Sequence, residues 1–155
     1  MDQNNETNRR WLEYLATGLG AVGALIAIAG PMLVLGSQPG GLGNSNWPLP
    51  GLVLMDWAIL GVGGFLAAYL GTKPLPGFWA SAAWFVAGAL FPLMALGALS
   101  IGPFVLLSMA FLSASAILVA IHKRMKGRDV FVNFALGALV NLALLLGMIA
   151  LGGNL

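Results

Sequence analysis

The sequence predicts an all-α integral membrane protein: a bundle of five transmembrane helices, N-terminus cytoplasmic and C-terminus outside. Three observations predict it. First, Lys and Arg number 7 and Asp and Glu 5 in 155 residues, while 59% of the chain is hydrophobic. A soluble domain cannot cover its surface with so few polar groups. Second, five stretches are apolar over the roughly 20 residues a spanning helix needs, and none alternates as barrel strands do. Third, every basic residue falls in segments that five spans place on one side of the bilayer.

The first span, 12–36, follows a cytoplasmic segment, 1–11, that carries Arg9 and Arg10. Arg9-Arg10-Trp11 with the later Ala27-Ile28-Ala29 resembles a twin-arginine export signal. Glu13 interrupts the match and no exported domain follows, so an uncleaved helix is expected. The second span, 51–71, is entered from Pro48 and Pro50, and the third, 78–98, from Pro74 and Pro76. Pro103 opens the fourth, 102–121. Proline suits a first helical turn because its missing N–H has no partner there anyway. Pro-Leu-Pro-Gly at 48–51 and again at 74–77 is read as this helix-entry chemistry, not as a duplication. The fifth span, 130–151, ends in an outer tail, 152–155, and residues 12–151 form one domain.

Arg9, Arg10, Lys73, Lys123, Arg124, Lys126 and Arg128 all lie on the N-terminal side of this arrangement. The positive-inside rule makes that side cytoplasmic, and a bacterial plasma membrane is expected. Trp11, Tyr14, Tyr69, Phe78 and Trp79 fall near this interface, and Trp47 in the uncharged loop 37–50 near the other.

Glycine is unusually frequent, with 22 residues. Small residues recur at helix-face spacing: Ala16, Gly20 and Ala24; Gly63, Ala67 and Gly71; Ala83 and Ala87; and Gly137. In lipid, close backbone approach through small residues drives helix association. Pro31 and Pro92 lie inside spans and free the carbonyls of Ala27 and Gly88.

Asp56 is the acidic residue well inside a span, where an ionised carboxylate costs about 2.5–3.5 kcal/mol at the bilayer centre. Three settings are open to it: a neutral acid donating to a carbonyl, Ser108 or Asn141; a group facing water; or the partner of a cation on another molecule. Asn133, Gly137 and Asn141 recur every four residues as one stripe of span five. Read structurally, the stripe is interhelical glue. Read functionally, it lines a path from Asp56 toward Asn133. Ser108 and Ser115 either join that path or bond back to their own helix.

His122, Lys123, Arg124, Lys126 and Arg128 form a basic loop suited to anionic lipid headgroups or a partner chain. With a single histidine and no cysteine, the chain has no metal cluster, disulfide or thiolate of its own. No intrinsic cofactor is expected. Bound lipid is compatible with the composition, and pigment or haem only where shared with a partner. The carboxylates form no catalytic pair, so no enzyme is expected, and the low charge excludes nucleic-acid binding. Two functions remain in view. One is a non-catalytic accessory or structural subunit of a larger respiratory or photosynthetic membrane complex, partnered by membrane lipids and other subunits. The other is a small proton- or solute-coupled transporter or channel using Asp56 and the span-five asparagines.

Overall fold

The computed structural model describes residues 3–37, 49–97 and 102–152. Among them the chain forms α1 (Gln3–Ser37), α2 (Leu49–Thr72), α3 (Phe78–Gly97), α4 (Gly102–Lys123) and α5 (Gly127–Gly152). All five are long and apolar enough to cross a membrane. The chain is therefore all-helical and of multi-pass membrane type. Most of loop 37–50 with Trp47, the turn near Ser100 and tail residues 153–155 lie outside the described residues.

α1 is helical from Gln3, through the polar Asn4–Arg10 stretch ahead of the first apolar span. Once the apolar part of a helix has nucleated, each added residue gains a hydrogen bond at little cost. The loop between the last two spans shrinks to 124–126, since His122 and Lys123 complete the last turn of α4 and Asp129 lies in the first turn of α5. Arg124 adopts a left-handed conformation, φ 50°. Met125 N–H then donates to Ala120 C=O at 3.0 Å and Arg124 N–H to Ile121 C=O at 3.2 Å. This pair of bonds is a Schellman cap that satisfies carbonyls at the end of α4.

The packing is four plus one. α1 packs on α2 and α4, and α3 on α2 and α4, closing a ring in which α2 and α4 also meet across the middle. α5 stands outside this ring, packed on α3 with a light touch on α2. The core of the ring holds Trp57, Leu90, Leu93, Val105 and Leu112. Near the basic end, Ala16, Ala68, Ala80 and Val119 form a tighter cluster.

Small residues set the distances between helices. The outer edge of the Trp57 indole packs against Gly30, where a methyl group would strike the ring. A Cβ on Gly20 would lie 3.2 Å from Ser115 Oγ and 3.3 Å from Ala68 Cβ, and one on Gly71 would lie 2.8 Å from Val119 Cγ1. Ala67 is buried with them. Gly63 is the exception, with only Val86 Cγ2 nearby at 3.9 Å. Besides Gly71, the tight positions of α2 are Gly61, against Ala27, and Gly64, against Leu112 and Val86. Pro31 and Pro92 sit inside helices that continue through them.

Candidate functional site

The polar residues singled out in the sequence separate into three places. Ser108 and Ser115 belong to the α1–α4 seam and are remote from Asp56 in their bonding. Ser108 Oγ donates to Gly23 C=O at 2.9 Å, and Ser115 Oγ donates to Ala16 C=O at 2.6 Å. Both bonds cross between helices, so neither serine bonds back to its own turn. The spacing explains the pairing: each set is two turns apart, on antiparallel helices.

The second place lies between α2, α3 and α5. Asp56 sits five residues past Gly51, where the second apolar span begins, and about two turns into α2. Its carboxyl lies beside the Asn141 amide. Its Oδ2 is enclosed without a hydrogen-bond partner. Asn141 is buried and donates from Nδ2 to Ala89 C=O at 2.7 Å. Asn133 does not join this pair, because its Nδ2 donates to Asp129 C=O at 2.6 Å within α5. Between the two asparagines, Gly137 lies against the Phe85 carbonyl and the Ala89 amide. Gly137 and Asn141 of the span-five stripe thus form one side of a helix seam, filled by the backbone of α3. Among the described residues no cation reaches Asp56.

The third place is a cleft of about 370 Å³ at the basic end of the bundle, lined by Arg10, Glu13, Thr72, Lys73, Pro74, His122 and Lys123. Of the basic loop expected to act together, only His122 and Lys123 line it; Arg124, Lys126 and Arg128 do not. Glu13 organises the wall: Oε2 is 4.0 Å from Lys73 Nζ, and Oε1 is 3.9 Å from His122 Nε2. Lys73 also lies over the Tyr69 ring, 5.0 Å from its centroid. Lys123 Nζ donates to the carbonyls of Lys73 at 2.6 Å and Leu75 at 3.2 Å. Proline at 74 and 76 leaves this turn few internal hydrogen bonds, and the lysine adds a donor to the Lys73 carbonyl, shared with Leu75 N–H at 2.7 Å, and to the Leu75 carbonyl. The His122 side chain is only 7% exposed, and its Nδ1 is enclosed without a partner.

Arg10, Glu13, Thr72 and Lys73 were not grouped with His122 by sequence reasoning, since they lie on helices far apart along the chain. One signal was available. Arg10, Thr72 and Lys123 mark the ends of three apolar spans, so they share one depth. Among the described residues no group of three or more His, Cys, Asp or Glu could hold a metal ion.

Comparison with protein-family models, curated proteins and solved structures finds no match to this chain.

Proposed function

We propose that this chain is a non-catalytic, multi-pass membrane protein that works by interaction, as an accessory or structural subunit of a larger respiratory or photosynthetic membrane complex. On this reading the basic end of the bundle faces the cytoplasm of a bacterial cell. The observation that supports it is the half-docked state of α5. Only 17% of its span is buried, against 33–44% for the other four helices. Phe131, Leu139, Val140, Leu146 and Leu151 stand exposed along it. A helix of a neighbouring chain laid against α5 would bury this surface.

Gentle detergent extraction from the native membrane, followed by mass determination of the particle, tests the reading. Co-purification with other membrane chains is expected. Leu139→Trp is the discriminating variant, since lipid accommodates a larger apolar side chain and a packed interface does not. It should release the partner chains and leave the isolated protein as stable as before. A protein recovered from native membranes as a monomer would overturn the proposal.

The Asp56–Asn141 contact supports a second reading, a small proton- or solute-coupled transporter or channel. Flux through proteoliposomes of the purified chain that Asp56→Asn abolishes would establish it in place of the first.

A further inference from the structure

We infer that the cleft at the basic end is a binding site for the phosphate of an anionic phospholipid, with the acyl chains lying along α1. Three cations, Arg10, Lys73 and Lys123, meet there against one carboxylate, Glu13. Arg10 opens the first apolar span, Lys73 directly follows the second, and Lys123 closes the fourth. All three therefore stand at the depth where the headgroups of a surrounding bilayer lie. Arg10 is exposed and makes no ion pair among the described residues, so its planar fork of donors is free for a phosphate. Lys73 is already aimed inward by Glu13 and Tyr69. His122, nearly buried in the wall, sets Nε2 3.9 Å from Glu13 Oε1 and so helps to hold that carboxylate at the cleft.

One feature favours a lipid over free phosphate. From the cleft, α1 carries an exposed stripe of Trp11, Tyr14, Val22, Leu25 and Met32, spaced three, seven or eight residues apart. That is one helical face running from headgroup level into the acyl region. This inference is independent of which chain covers α5.

The test is lipid retention by the full-length protein in mixed vesicles of phosphatidylglycerol and phosphatidylcholine, read by native mass spectrometry. Phosphatidylglycerol is expected to be retained at least tenfold over phosphatidylcholine. Arg10→Gln, which breaks no contact within the chain, is expected to lower retention about fivefold, as is Lys73→Gln. Arg128→Gln, outside the cleft, is expected to leave it unchanged. Equal retention of the two lipids overturns the inference. So does an Arg128→Gln effect as large as that of Arg10→Gln, which would mark diffuse charge attraction. Displacement of the lipid by millimolar inorganic phosphate would assign the cleft to a soluble phosphate ligand and overturn the lipid assignment.

Discussion

Gly137 of α5 lies so close to the Phe85 carbonyl of α3 that no side chain fits between them. The contact is reciprocated one turn away, where Gly88 of α3 meets the Phe134 backbone. Phe91 and Phe134 flank the seam edge-on, with ring centroids 6.2 Å apart. Ala89 and Asn141, each four residues on from Phe85 and Gly137, add the hydrogen bond. Because α5 touches little else, this seam holds the helix in place.

Substituting alanine at Gly137 or Gly88 should therefore cost about 1–3 kcal/mol through forced separation of the helices. Backbone cannot yield as a flexible side chain can. The check is thermal unfolding of the purified protein in detergent, with Gly147→Ala as the control. Gly147 has nothing within 4 Å of its added methyl group. That control should be neutral or slightly stabilising, since alanine is the better helix former. Gly63→Ala should behave like the control.

The two serine bonds between α4 and α1 make a separate expectation. Interhelical hydrogen bonds in membrane proteins average about 0.6 kcal/mol and reach about 1.7. Ser108→Ala and Ser115→Ala should each destabilise within that range, with Ser115 the larger because its bond is shorter, 2.6 Å against 2.9 Å. The pair lie two turns apart and share no partner, so the double variant should show additive loss. Alanine fits both sites, leaving the loss of the bond as the measured quantity.

The five helices were legible in composition and run length because a spanning segment must be long, apolar and internally hydrogen-bonded. The packing partners were not. Ser108 reads equally well as a path-lining residue or a back-bonded one until α1 is seen to present the Gly23 carbonyl to it. Asn133 and Asn141 share a stripe by periodicity, yet one bonds within its helix and the other across to α3. Period alone places residues on a face; it does not say how far along that face the neighbouring helix stays in contact. The cleft was hidden for another reason. Glu13, Lys73 and His122 come from three helices, and only their common depth relates them in the sequence.

Lys123 ties the end of α4 to the turn after α2. Its ammonium donates to the Lys73 carbonyl, which it shares with the Leu75 N–H, and to the Leu75 carbonyl, which no backbone donor in this proline-bearing turn serves. Lys123→Met keeps most of the aliphatic stem and removes the donor. A loss of about 1–2 kcal/mol is expected, the low part of the range for hydrogen bonds to charged groups because one of the two is exposed. Faster proteolysis within 73–77, measured in detergent, would locate the effect at this turn. Unchanged stability and cleavage would show that water serves those carbonyls equally well.

Arg124 provides the opposite kind of test, a substitution expected to stabilise. It holds the left-handed position of the Schellman cap, φ 50°, which glycine normally fills. A side chain there costs about 1–2 kcal/mol from crowding between Cβ and the backbone. Part of that gain is offset in Arg124→Gly, because glycine makes the unfolded chain more flexible. The net expectation is about 0.5–1 kcal/mol of added stability, read as a raised unfolding temperature. Since Arg124 does not line the cleft, lipid retention should stay the same. Arg124→Ala, which removes the charge but keeps the Cβ, should show none of the gain. If the alanine variant were as stable as the glycine one, charge crowding in the basic turn, and not backbone conformation, would be the source of the effect.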